Sequence, residues 1–192
     1  MNKGLILLDR DGVLNELVVD PEQGTVDSAM VPGQVRMIPR AAEALRRLNE
    51  AGFDVAIVSN QPAAAKGKTT RKNLEAVHQA VLDAVAKGGG KILSSHLCFH
   101  KAEDFCTCRK PRTGLLEEAF KQNPGHDVAA SWMVGDGLTD IQAGRTFGLK
   151  TIYLASHKCD TCQTALSQKL KPTLWADDLW AAVDHILAQV TK

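Results

Sequence analysis

The stretch Leu5-Ile6-Leu7-Leu8-Asp9-Arg10-Asp11-Gly12 decides the fold. Four apolar residues in a row, closed abruptly by acids, read as a short strand buried on both faces rather than as a helix with one apolar stripe. The same pattern returns at Val55–Val58, Trp132–Val134 and Thr151–Leu154, and more weakly at His96–Phe99 and Leu174-Trp175. Between these runs the period changes. Ala41, Ala44, Leu45 and Leu48 share one helical face ahead of Gly52, and Leu74, Val77, Val81 and Val85 form a stripe ahead of Gly88. Thr139–Phe147, stopped by Gly148, and Leu179–Val190 complete the helical set. Buried strands alternating with helices imply an α/β fold, a Rossmann-like three-layer sandwich around a parallel sheet. A chain of 192 residues suits one such domain over 1–192.

In folds of this class, ligands bind beyond the carboxyl ends of the strands. The chemically capable residues collect there. Asp9 and Asp11 follow the first strand, Ser59 and Asn60 the second, and Asp136 the strand at Trp132–Val134, while Arg109-Lys110-Pro111 follows the weak strand. Two carboxylates two residues apart repel each other, and hard divalent cations take oxygen ligands. Gly12 allows a tight turn that brings backbone close to a phosphate. Gly135-Asp136-x-x-x-Asp140 adds a second acid-bearing turn, and Ser59 with Lys110 supplies a hydroxyl donor and a fixed positive charge for a transferring phosphoryl group.

With these four motifs in this order, the sequence resembles the haloacid dehalogenase superfamily over essentially its whole length. The resemblance implies a phosphatase working by two-step covalent catalysis, with Asp9 as nucleophile and Asp11 as acid and then base. It implies Mg2+ on Asp9, the Asp11 backbone carbonyl and Asp136. Ser59, the Asn60 backbone N–H and Lys110 are the expected phosphate ligands, and Asp140 an outer carboxylate. The gaps from Asp9 to Ser59 and from Ser59 to Lys110 leave no room for a separate cap domain, so an open site is expected. Its substrate would be read by Asn15–Ile38, the 61–68 loop and the cysteine loop.

That loop, Cys98-x-His100-x5-Cys106-x-Cys108, offers three thiolates and one imidazole. A closed set of soft sulfur and nitrogen ligands suits structural Zn2+. The loop is followed at once by Arg109 and Lys110, so zinc would pin the segment that carries the motif lysine. Together with Asp9-Arg10-Asp11-Gly12, Ser59-Asn60-Gln61 and Met133-Val134-Gly135-Asp136, it is similar to the subfamily of D-glycero-D-manno-heptose-1,7-bisphosphate 7-phosphatases and histidinol-phosphate phosphatases. The resemblance implies a small phosphorylated sugar as substrate, with histidinol phosphate or another phosphomonoester as the alternative, and a substrate contact for Arg109. Gly137 stands where that subfamily often has lysine. A zinc-stabilised binding module without catalysis is the competing class, and the presence of both Asp9 and Asp11 argues against it.

The formal net charge of +1 gives no field for nucleic acid or an anionic membrane, and no apolar run is long enough to span one. Five cysteines, an odd count with three crowded into one loop, fit a cytoplasmic protein better than a disulfide framework. A monomer is expected. Gly67-Lys68-Thr69 mimics the tail of a P-loop, but Pro62 occupies the position that needs glycine. His157-x-Cys159-x-x-Cys162 reads as ordinary thiols, His78 and His126 as surface histidines, and Trp132, Trp175 and Trp180 as core residues.

Overall fold

The computed structural model describes residues 4–155 and 170–189. The His157, Cys159 and Cys162 group lies outside them. Six strands form one parallel sheet: β1 (Leu5–Leu8), β4 (Asp54–Asn60), β5 (Ser94–Cys98), β6 (Trp132–Gly135), β7 (Lys150–Leu154) and β8 (Leu174–Ala176), in the spatial order β5-β4-β1-β6-β7-β8. The helices are α1 (Ala41–Glu50), α2 (Arg71–Lys87), α3 (Gly114–Gln122), α4 (Leu138–Phe147) and α5 (Leu179–Ala188).

Alternation along β1 shows how the layers arise. Ile6 and Leu8 point to one face, where they join Val55, Ile57, Val134 and Ile152 beneath the apolar sides of α1, α2 and α5. Leu5 and Leu7 point the other way and meet Ala56, Val58 and Met133 under α3 and α4. All four β1 side chains are fully buried, which is why the strand reads as an unbroken apolar run instead of alternating with polar residues. The three-layer α/β expectation holds.

Two elements escaped the sequence pattern. The first is an antiparallel hairpin of β2 (Val18–Asp20) and β3 (Thr25–Asp27), whose strands are three residues each. Val19 and Val26 face each other across it and are both exposed, so no buried face marks it. The second is α3, whose buried residues Leu115, Leu116 and Ala119 make a stripe little more than a turn long. Trp175 departs from its expected core position: it is 37% exposed and meets Tyr153 edge-on at 5.1 Å. Trp132 is buried as expected, whereas Trp180 is only partly buried and carries the guanidinium groups of Arg40 and Arg47 over its ring at 3.3 and 4.2 Å. Among the described residues, only the hairpin, a 3-10 turn and α1 separate β1 from β4, and only turns and α2 separate β4 from β5. No cap domain intervenes there. No helix among the described residues is long and apolar enough to cross a membrane.

Gly135, the last residue of β6, lies under the base of α4. A Cβ built there falls 2.3 Å from Asp140 Cγ. Gly135→Ala should therefore lower stability by about 1–3 kcal/mol, the usual cost of overpacking a filled site. Gly33→Ala, where a Cβ meets nothing within 4 Å, should leave the urea midpoint unchanged. Equal midpoints for both variants would contradict the packing described.

Candidate active site

β1 lies between β4 and β6, and its register with both brings Asp9, Ser59 and Asp136 to one edge. Asp9 Oδ1 accepts hydrogen bonds from the Ser59 hydroxyl at 2.6 Å and from the Arg10 N–H at 2.7 Å. Lys110 Nζ reaches the other oxygen, Oδ2, at 3.1 Å. The same ammonium lies 2.6 Å from Asp140 Oδ1 and donates to the Val58 carbonyl at 2.6 Å. It is completely buried.

Asp9, Asp136 and Asp140 bring carboxylate oxygens within 4.8 Å of one another. Two close contacts permit this. Gly12, with φ at +78°, leaves space where a Cβ would lie 2.2 Å from Asp136 Oδ2, and Gly135 does the same for Asp140. Burial pushes Asp140 up to about 7, repulsion from Asp9 and Asp136 adds to that shift, and Lys110 opposes it. For Lys110, burial alone would lower the pKa, but the ion pairs with Asp140 and Asp9 outweigh it and the net shift is upward. Three carboxylates against one ammonium leave about two negative charges, the complement of one divalent cation with oxygen ligands. The residues present fit magnesium.

The Asp11 carboxylate lies apart from that set. Its Oδ1 accepts from Arg10 Nη2 at 3.1 Å and Asn15 Nδ2 at 2.8 Å, and its Oδ2 from Arg10 Nη2 at 2.9 Å and Gln61 Nε2 at 2.6 Å. Arg10, Asn15 and Gln61 are as buried as core leucines. None was singled out from sequence for this task. The available signal was spacing: Asn15 lies four residues after Asp11, and Gln61 two after Ser59.

Asn60 contributes its side chain. The amide accepts from the Lys110 N–H and donates to the Lys110 carbonyl, both at 3.0 Å, so it closes a ring on the backbone of the lysine. Arg109 turns away from the carboxylates and donates to the His100 carbonyl at 3.3 Å.

Beyond β5, the cysteine loop gathers four ligand atoms. Cys98 and Cys108 Sγ are 3.1 Å apart, Cys106 and Cys108 3.5 Å, and Cys98 and Cys106 3.7 Å, while His100 Nδ1 lies 3.3 Å from Cys108 Sγ. A zinc tetrahedron with bonds of about 2.3 Å has edges of about 3.7 Å, so the set fits that ion with little movement. Burial and the neighbouring thiols push Cys108 up to about 12, an arrangement that a cation would relieve.

His126 caps a turn through the Asn123 carbonyl and reaches Asp54 Oδ2 at 3.0 Å. His78 departs from the surface expectation. Both of its ring nitrogens are buried on α2 without a hydrogen-bond partner. Burial, joined by the Arg10 charge and opposed by Asp11, lowers its pKa from 6.5 to about 4. The native state therefore refuses a proton that the unfolded chain accepts. Stability should fall as pH drops from 6.5 towards 4. Urea midpoints at pH 7 and pH 5 should differ less in His78→Gln than in the parent, and equal differences would show that the burial is not felt.

Comparison with known proteins gives the family. A family described as HAD-hydrolase-like matches residues 107–182. A D-glycero-beta-D-manno-heptose-1,7-bisphosphate 7-phosphatase of Pseudomonas aeruginosa is 34% identical across 97% of this chain and 99% of its own length. The histidine biosynthesis bifunctional protein HisB of Legionella pneumophila is 31% identical over 77% of this chain, which corresponds to 40% of that protein. Among solved structures, the D,D-heptose 1,7-bisphosphate phosphatase of B. bronchiseptica, complexed with magnesium and phosphate, superposes with a TM-score of 0.81 at 29% identity, covering 97% of this chain and 99% of that one.

Proposed function

Because the chain belongs to the haloacid dehalogenase-like phosphatases, in the group of the heptose-bisphosphate phosphatases, we propose that it removes the 7-phosphate of D-glycero-D-manno-heptose 1,7-bisphosphate. One observation carries the chemistry: a carboxylate, Asp9, has one oxygen held by Ser59 and the other by a buried lysine.

In the proposed reaction, an Asp9 oxygen attacks phosphorus in line and the bond to the sugar oxygen breaks, leaving an aspartyl-phosphate. The departing sugar oxygen takes its proton from Asp11. Asp11, now a carboxylate, removes a proton from water as that water attacks the phosphoenzyme and restores Asp9. The Ser59 hydroxyl, the Asn60 backbone N–H and the Lys110 ammonium would hold the phosphoryl oxygens and spread their charge. Magnesium would be held by Asp9, the Asp11 backbone carbonyl and Asp136, and when bound it offsets the repulsion between the nucleophile and the phosphate. Asp140 would keep Lys110 charged and aimed. Arg109 is proposed to meet substrate from the rim, leaving its bond to the His100 carbonyl.

Cys98, His100, Cys106 and Cys108 are proposed to hold zinc as a structural crosslink, supported by their near-tetrahedral spacing. Free thiols in this cluster support a reducing compartment, the cytoplasm. A complete set of functional groups on one chain supports a monomer as the active unit, and the proposed domain is 1–192. Histidinol phosphate is the second reading, favoured only by the HisB relative.

Three measurements test these readings. Phosphate release should be fastest from the heptose bisphosphate within a panel that includes histidinol phosphate; faster release from histidinol phosphate would reverse the ranking. Asp9→Asn should abolish turnover, and Asp11→Asn should lower it by ~10²–10⁴-fold. Protein purified without chelator should carry about one zinc per chain by elemental analysis, and Cys106→Ser should lose both the zinc and thermal stability. Metal-free parent protein with an unchanged melting temperature would end the zinc assignment.

A further inference from the structure

Gln61 is buried at the carboxyl end of β4, in contact with both halves of the proposed chemistry. Its Oε1 accepts from Arg10 Nη2 at 2.7 Å, and its Nε2 donates to Asp11 Oδ2 at 2.6 Å and to Ser59 Oγ at 3.0 Å. The orientation of the amide is fixed by chemistry. Arginine can only donate, so the oxygen must face Arg10 and the NH2 must face the carboxylate. A hydroxyl that accepts from this NH2 is free to donate elsewhere, and Ser59 donates to Asp9 Oδ1 at 2.6 Å. One side chain thus touches the residue beside the nucleophile and the acid/base group.

Its backbone is fixed as well. The Gln61 N–H donates to the Cys98 carbonyl at 2.7 Å, which ties the residue to the end of β5. Gln61 is therefore a rigid strut between two strand ends rather than a loop side chain that happens to find partners. Arg10 completes the frame. It pairs at 2.9 Å with Asp11 Oδ2, the same oxygen that Gln61 reaches, and is itself wholly buried.

We infer that Gln61 is a positioning residue for the acid/base step: it holds the Asp11 carboxylate in register with the Ser59–Asp9 pair. The inference rests on the role proposed above for Asp11. The Gln61 side chain bonds Arg10, Asp11 and Ser59, so it acts through them. Its effect should appear only where the proton held by Asp11 matters, which is the departure of a poor leaving group. A sugar or alkyl alcohol needs that proton as it leaves, whereas p-nitrophenolate departs without it.

The test compares kcat/KM, which covers the steps through loss of the alcohol, for an alkyl phosphate and for p-nitrophenyl phosphate. Gln61→Met keeps the length and removes all three hydrogen bonds. It should lower the alkyl-phosphate value about tenfold or more and the aryl value by no more than about threefold. On an Asp11→Asn background it should add less than about threefold for the alkyl phosphate, because residues acting as one unit are not additive. Gln61→Asn keeps the amide but withdraws it by one methylene. It should show the same discrimination, and it replaces the methionine variant should that one fail to fold. Equal losses on both substrates, full additivity with Asp11→Asn, or parental rates for both Gln61 variants would overturn the inference while leaving the roles of Asp9 and Asp11 intact. A normal rate for Asp11→Asn itself would instead overturn the acid/base reading.

Discussion

The ammonium of Lys110 is the interaction on which the rest of the site depends. Asp9, Asp136 and Asp140 crowd their oxygens within 4.8 Å. Like charges at about 4 Å repel by roughly 4 kcal/mol at the effective dielectric of a protein surface, and by more where water is excluded. Without a cation among them the three acids would protonate or separate. One lysine cannot balance three carboxylates, and burial, with repulsion from Asp9 and Asp136 added, pushes Asp140 upward despite it. The site can therefore accept a divalent cation as well as the lysine, beside an Asp9 carboxylate already held at both oxygens.

A buried ammonium must be delivered by backbone that cannot wander. The carboxyl end of β4 does that work. Val58 on β4 offers its carbonyl to Nζ, and Asn60, two residues on, clasps the main chain of Lys110 with both ends of its amide. The cysteine loop lies immediately upstream, with its four ligand atoms already close to tetrahedral spacing. A metal held there would brace the same short segment that the Asn60 amide clasps. The Asn60 clamp fixes the lysine locally, so a metal's contribution would fall mainly on the loop that leads into it.

The sheet was legible because β1, β4, β6 and β7 are buried on both faces and must be apolar throughout. The order of chemical groups was legible because each follows directly from such a run. The hairpin of β2 and β3 was not, since Val19 and Val26 sit on a surface with no core to impose a period. The α3 helix hid behind a stripe of only three buried residues. His78 was misread for a different reason: on a helix whose apolar stripe runs Leu74, Val77, Val81, a polar residue next to the stripe looks exposed, and the Arg10 and Asp11 charges that act on it come from far away in sequence. Gln61 and Asn60 were visible as letters of a motif. Their partners lie 50 residues away in sequence, and no local pattern reports such contacts.

Register explains why one edge gathers everything. Leu8 on β1 is level with Ile57 on β4 and with Val134 on β6. Neighbouring parallel strands lie about 4.8 Å apart, so residues one or two positions beyond those partners fall within reach of one another. Asp9 is one position past Leu8, and Ser59 and Asp136 are each two past their β1-level partners. A shift of one residue in either pairing would turn Ser59 or Asp136 towards the opposite face, because side chains alternate along a strand. That shift is blocked by the two cores, since it would also exchange Val55 and Ile57 with Ala56 and Val58, or Val134 with Met133, between faces that are each already filled. The packing of aliphatic side chains, which carries no chemistry, is thus what holds Asp9, Ser59 and Asp136 at one edge of the sheet.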